Sequence, residues 1–113
     1  MIRPRFLLVL PALLVTTLPA CAATFRGVAD PAHNRVALLS TSKTAEKCWG
    51  GVNFTYFDTA KGKRDNGWTD CGKFITKPGK DVEVCGFSDP RLVAPEIKGD
   101  PVVGCPWETS PVQ

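Results

Sequence analysis

The sequence predicts a mostly β fold: a small, disulfide-linked, antiparallel β domain with room for one short N-terminal helix, which would make it α+β. Three observations lead to this prediction. Residues 52–57 (VNFTYF) alternate between two faces, as expected of a strand. Four cysteines follow residue 47 in a short chain, which is typical of structural disulfides. Prolines recur throughout residues 90–111, which excludes a long helix or a central strand there.

Residues 1–22 have the pattern of an export signal. Arg3 and Arg5 form a positive start, residues 6–18 form an apolar run, and small residues follow. The apolar run is shorter than the roughly 20 residues that a membrane-spanning helix needs. We therefore expect this segment to direct export and then to be removed, which leaves residues 23–113 as a single small domain.

The stretch LPACAA at residues 18–23 allows two cleavage positions. In one, Ala20 and Ala22 form an A-x-A site, cleavage falls before Ala23, and Cys21 is lost. In the other, Leu18-Pro19-Ala20-Cys21 resembles the bacterial lipobox, although proline is unusual at that position. The resemblance implies cleavage before Cys21 and acylation of its thiol. The sequence leaves both alternatives open.

The domain elements can be outlined from local signals. Asp30-Pro31 could start a short helix that runs to Leu39, whereas RVALLS at residues 35–40 fits a buried strand as well. After the strand at residues 52–57 comes a polar loop at residues 58–67, which ends in the Asn66-Gly67 turn signal. Strands at 68–75 and 82–87 then flank Pro78-Gly79, which predicts a hairpin.

The cysteine count points to two disulfides. Cys21 is either removed or acylated, so it cannot form a disulfide in either alternative. The cysteines that remain are Cys48, Cys71, Cys85 and Cys105. A hairpin centred on Pro78-Gly79 would place Cys71 opposite Cys85 and leave Cys48 to pair with Cys105. Four cysteines permit three pairings, however, and sequence alone does not choose among them.

Several classes of function receive little support. The formal charge of +3 falls to +1 when Arg3 and Arg5 are removed, so the electrostatic argument for nucleic-acid binding disappears. His33 is the only histidine and no C-x-x-C motif is present, so we predict neither a metal nor a cofactor. No nucleophile motif surrounds the serines, and the carboxylates fit solvated turns. We therefore expect no enzymatic activity.

The aromatic residues and one charged loop define the predicted binding site. Aromatic side chains concentrate after Cys48, and more of them are present than a thin sheet can easily cover. The loop at 58–67 carries three cations between aromatic strands, an arrangement suited to recognition. The predicted contact residues are Lys61, Lys63, Arg64, Trp68, Tyr56 and Trp49.

These features together predict an exported, non-enzymatic binding module of the bacterial envelope. It would contact a protein or a glycan, as an inhibitor or immunity protein does, and it would be periplasmic, secreted or membrane-anchored. Contact with the membrane is expected only through a lipid at Cys21. The alternatives are a structural envelope lipoprotein without a discrete ligand and a small cell-wall hydrolase.

Overall fold

The structure is a computed structural model that describes residues 21–109 and contains two antiparallel sheets. One sheet has the strand order β1-β2-β5, and the other has the order β4-β3-β6, with β7 also paired to β3. The predicted export signal lies outside the described residues up to position 20. The strands are β1 (Thr24–Asp30), β2 (Arg35–Ser42), β3 (Lys47–Asp58), β4 (Lys63–Ile75), β5 (Gly79–Ser88), β6 (Val93–Ile97) and β7 (Val102–Gly104).

The core lies between the two sheets. Val36 and Leu38 of β2 are buried on one side, and Val52 and Phe54 of β3 are buried on the other. Gly27 of β1 faces the other sheet closely, since an added Cβ there would lie 3.1 Å from the side chains of Val52 and Ile97. Because so few large side chains are fully buried, cross-links contribute strongly to the stability of a domain of this size.

The prediction of an optional N-terminal helix is wrong. Residues Pro31–His33 form only a single 3-10 turn, and within residues 21–109 there is no α-helix. Asn34 adopts the left-handed conformation and its amide N–H donates to the Pro31 carbonyl, which ends the turn at once. The next residues then form β2, the central strand of its sheet, where Val36, Ala37 and Leu38 are buried. The described fold is therefore mostly β, as the main prediction stated.

The predicted hairpin around Pro78-Gly79 is also wrong. β4 pairs with β3, whereas β5 pairs with β2 in the other sheet. The chain therefore crosses from one sheet to the other at residues 76–78. β4 and β5 are each left at an edge of their own sheet, side by side.

The Cys71–Cys85 disulfide joins these two edges, and Cys48–Cys105 joins β3 to the segment after β7. Each partner of the first bridge lies at a β-bulge. Gly50 and Gly51 pair with Gly72 and Asp70, so Cys71 is the extra residue of β4. A second register shift lies beside Cys85. Bulges turn side chains out of the regular pleat, and here they allow cysteines on different sheets to meet.

The two disulfides indicate an oxidising, extracytoplasmic environment. Between residues 21 and 109, none of the helical segments has the length and apolar character required to cross a membrane.

Candidate binding site

A cleft of about 320 Å³ opens at one end of the molecule, where the edge of β4 lies beside the edge of β5. It combines side chains from both sheets with the β3–β4 turn and the segment after β5. Its lining residues are Phe54, Tyr56, Asp58, Thr59, Ala60, Asn66, Gly67, Trp68, Phe87, Asp89, Arg91 and Leu92.

Aromatic residues form much of the cleft wall. Phe54 and Tyr56 pack against each other with ring centroids 6.1 Å apart. Trp68 and Phe87 are 46% and 41% exposed, which is unusual for side chains of this size. Both also line a neighbouring groove of about 270 Å³ that continues along β5 towards Cys85. The exposed aromatic surface therefore extends beyond the cleft itself.

One carboxylate of the cleft is held ionised by an arginine. The Asp89 Oδ1 atom accepts from the Arg91 backbone N–H at 2.8 Å, and the Arg91 guanidinium donates to both carboxylate oxygens at 3.0 and 2.7 Å. These hydrogen bonds lower the pKa of Asp89 to about 2. The Arg91 side chain is nonetheless 85% exposed, so its guanidinium can still meet a ligand.

The other side of the cleft is formed by the β3–β4 turn. Asp58 accepts hydrogen bonds from the backbone N–H groups of Ala60 and Lys61, at 2.9 and 3.2 Å, and so fixes the turn. The Lys61 ammonium donates to Asp65 at 2.8 Å, and this bond raises the pKa of the lysine. Polar groups of both signs therefore surround the aromatic wall.

The predicted site residues are only partly brought together. Tyr56 and Trp68 line the cleft, and Lys61 follows the turn residues that line it. Arg64 instead donates to Thr55 at 2.9 Å and to the Ala94 carbonyl at 2.8 Å, and so it links β4 to β6.

Trp49 is remote from the cleft. On β3, Trp49 precedes Tyr56 by seven residues, which places the two roughly 23 Å apart along the strand. Trp49 pairs there with Lys73 of β4 and Gly104 of β7. Its ring covers Gly104, and its indole N–H donates to Thr109 at 2.7 Å. Trp49 therefore packs the C-terminal segment against β3.

The predicted loop at 58–67 is shorter than expected. The turn is confined to residues 59–62, and Lys63 already begins β4. Asn66-Gly67 lies within that strand, where the two residues pair with Thr55 and Phe54 of β3. The Phe54 ring occupies the space where a Cβ at Gly67 would be. The glycine therefore serves close packing of a core ring rather than a turn.

Sequence reasoning missed Phe87, Asp89 and Arg91 as site residues. Phe87 was recognised only as one of many aromatics, and the other two belong to a segment without a strong motif. The signal that could have identified them is FSDPR at residues 87–91, where an aspartate before a proline favours a side-chain-capped turn. Their relation to Trp68 depends on the pairing of β5 with β2, which no local signal specifies.

The arrangement suits reversible binding, because exposed rings lie beside fixed charges of both signs. His33, the only histidine, contacts Asp30 at 2.7 Å in the exposed 3-10 turn and does not line the cleft. That the protein is not an enzyme stays a prediction. Comparisons with protein-family models, with curated proteins and with solved structures gave no match.

Proposed function

We propose that the protein is an exported, non-enzymatic binding module of the bacterial envelope that holds a protein or glycan partner in the cleft between β4 and β5. One observation carries the proposal: Tyr56, Trp68 and Phe87, from three different strands, meet the Asp89–Arg91 pair in a single cleft. Exposed aromatic rings combined with an arginine are the composition enriched at binding hot spots.

The chemistry of the cleft suits two kinds of contact surface. The aromatic rings offer flat apolar faces to the C–H face of a sugar or to an apolar side chain. Asp58, Asp89 and Arg91 offer acceptors and donors around those rings, which would fix the orientation of hydroxyl, amide or charged groups. At about 320 Å³, the cleft lies at the lower end of the range of small-ligand pockets.

The disulfide framework supports binding through rigidity. Cys71–Cys85 ties β4 to β5 a few residues from Trp68 and Phe87, so the two walls of the cleft are held at a fixed separation. A preorganised site avoids part of the conformational entropy that binding otherwise costs. This favours a binding module over a structural envelope lipoprotein that has no discrete ligand.

The proposal can be tested by affinity capture from envelope extract, together with a glycan array. Phe87→Ser removes an exposed wall of the cleft, and Val102→Ser is the matched control. Val102 is 44% exposed, close to the value for Phe87, and it lies on β7 beside Gly51 rather than at the cleft. We expect F87S to lose a stoichiometric partner or glycan that the unchanged protein and V102S retain. Both variants should melt close to the parent, because exposed positions contribute little to stability.

Capture of the same partner by F87S with unchanged affinity would overturn the cleft as the contact site. Recovery of the protein only with bulk membrane, with no partner or glycan bound, would support the structural lipoprotein instead. Release of soluble fragments from cell-wall material by the purified protein would support the hydrolase alternative and contradict the proposal.

A further inference from the structure

The end of the molecule opposite the cleft is built from two connections that hydrogen-bond to each other. Residues 43–46 join β2 to β3, and residues 76–78 join β4 to β5. The buried Thr76 hydroxyl accepts from the Glu46 backbone N–H at 2.9 Å and donates to the Thr44 carbonyl at 3.2 Å. The Thr76 N–H donates to the Glu46 carbonyl at 2.8 Å. This end is therefore a single, well-defined surface.

Lysines dominate this surface. All of them are exposed, and none forms an ion pair with another residue of the range 21–109. Five lysines outnumber the acidic residues of this lysine end. Glu46 lies in the connections, Asp81 follows Lys80 and pairs with Arg26, and Glu108 follows Trp107. The lysines are Lys43, Lys47, Lys73, Lys77 and Lys80.

The N-terminal segment joins the fold at this same end. The Glu46 carboxylate accepts from the backbone N–H groups of Ala22 and Ala23 at 3.1 and 3.0 Å. This carboxylate is therefore engaged by the N-terminal segment rather than by a neighbouring lysine. The Cys21 sulfur lies within 4.8 Å of the sulfurs of Cys48 and Cys105. An acyl chain on Cys21, or the apolar segment at residues 6–18 before processing, is therefore connected to the protein at the lysine end.

Apolar side chains accompany the charges. Ile75 is 54% exposed and pairs with Lys47 across β3 and β4. The Lys47 ammonium lies 5.2 Å from the centre of the Trp107 ring, within cation–π range. Lysine, tryptophan and an exposed aliphatic residue together are typical of protein surfaces that contact the boundary between lipid headgroups and acyl chains.

We propose that the lysine end docks on the surface of an anionic phospholipid bilayer. In the lipobox alternative, the lipid at Cys21 would then not be the only membrane contact. A basic patch is one of the signals that hold a protein on an anionic membrane surface. Charge complementarity alone would also suit other polyanions. The connection of the acyl site or apolar segment to this same end favours the bilayer.

The expected strength follows from the charges. Each basic residue near an anionic membrane surface strengthens binding by about fivefold, and salt screens the effect. Loss of three lysines should therefore weaken binding by roughly a hundredfold at low ionic strength.

The test uses the processed domain, exported behind a signal peptide that is cleaved without acylation, so that vesicle binding reports protein contacts alone. Co-sedimentation is measured with vesicles that contain one third phosphatidylglycerol and with pure phosphatidylcholine vesicles. The variant K43Q/K77Q/K80Q removes three charges from the lysine end. The matched control, K61Q/K63Q/K98Q, removes three exposed lysines from elsewhere on the surface. Equal charge loss separates a local contact from an effect of net charge.

We expect binding only to the anionic vesicles, a roughly hundredfold loss for K43Q/K77Q/K80Q, and less than a twofold change for the control. Brominated lipids should quench the fluorescence of the parent protein, and Trp107→Phe should reduce that quenching more than Trp68→Phe does. Equal weakening by both lysine variants, or binding to heparin without binding to anionic vesicles, would overturn the proposal. Absence of vesicle binding at low salt would overturn it as well.

Discussion

Gly67 shows how a single residue sets the shape of the cleft. The Phe54 ring occupies the position that a Cβ at Gly67 would take, so the strand can carry only a hydrogen there. Phe54 belongs to the core cluster and also lines the cleft. The same contact therefore links the packing of the core to the depth of the site.

Gly67→Ala should accordingly destabilise the protein. The new methyl group would displace the Phe54 ring, and overpacking of this kind costs about 1 to 3 kcal/mol. Denaturant unfolding measures the change in the free energy of unfolding. Asn66→Ala, at the adjacent exposed position, is the control and should change stability by less than about 0.5 kcal/mol. Equal stability of G67A and N66A would show that the ring does not depend on this glycine.

The lowered pKa of Asp89 predicts how the stability of the protein depends on pH. Its pKa is lowered from 3.8 to about 2, chiefly by the Arg91 side-chain hydrogen bond and then by the Arg91 backbone N–H. The ionised form is therefore favoured in the folded state. The stability it contributes is complete above about pH 4 and is lost as the pH falls through 2.

Asp89→Asn should remove this contribution. We expect the variant to be less stable than the parent at near-neutral pH, with a smaller difference at a pH of about 2. Urea unfolding across this acid range measures both quantities. A constant difference between the two proteins over the whole range would contradict the assignment, because the ionisation of Asp89 would then not be linked to folding.

At the scale of elements, the two disulfides have different roles. Cys71–Cys85 has a sequence separation of 14 and connects the sheet edges that form the cleft. Cys48–Cys105 has a separation of 57 and holds the C-terminal segment against the start of β3, at the end remote from the cleft. Loop-closure entropy predicts that Cys48–Cys105, which closes the longer loop, stabilises the fold more. The position of Cys71–Cys85 predicts that it controls the separation of the cleft walls.

Replacement of each pair by serine should separate these roles. C71S/C85S should cost about 3 kcal/mol, and C48S/C105S about 4 kcal/mol, in the free energy of unfolding. Native-state hydrogen exchange provides the second measurement. Amides of residues 67–70 and 85–88 should exchange faster in C71S/C85S, because the edges of β4 and β5 can then separate. Faster exchange there in C48S/C105S alone would contradict this division.

The elements also show which parts of the fold a sequence specifies. The alternation at residues 52–57 predicted a strand correctly, because burial on one face leaves a period of two in the side chains. Pro78-Gly79 predicted a hairpin wrongly. A turn signal describes only the local chain direction, whereas the partner of β5 is chosen by burial of β2 between two neighbours. The N-terminal helix failed for the same reason, since burial of Val36 and Leu38 overrides a weak N-cap signal.

The candidate site was predictable to a similar extent. Tyr56 and Trp68 were identified because strand alternation places them near the β3–β4 turn. Phe87 and Arg91 reach the same cleft only through the arrangement of the two sheets, which no local pattern encodes. Arg64 was assigned to the site from its charge alone, but its hydrogen bonds to Thr55 and Ala94 give it a part in joining strands.

At the scale of the whole molecule, β3 separates two surfaces with different properties. The strand is 12 residues long, so roughly 36 Å lie between Lys47 at the lysine end and Asp58 at the cleft. This separation is greater than the Debye length of about 8 Å at physiological ionic strength. The two surfaces should therefore act independently, and a protein docked through its lysines would present the cleft away from the bilayer.

Amine modification tests this orientation without any substitution. A water-soluble acylating reagent is applied to the protein with and without anionic vesicles, and peptide mass spectrometry gives the modification rate of each lysine. On vesicles, we expect slower modification of Lys43, Lys77 and Lys80, because the bilayer covers them, and unchanged rates at Lys61 and Lys63 beside the cleft. Neutral vesicles should change none of the rates, since the attraction is electrostatic. Protection of Lys61 and Lys63 on anionic vesicles would mean that the cleft faces the membrane, and uniform protection would mean that docking has no preferred orientation.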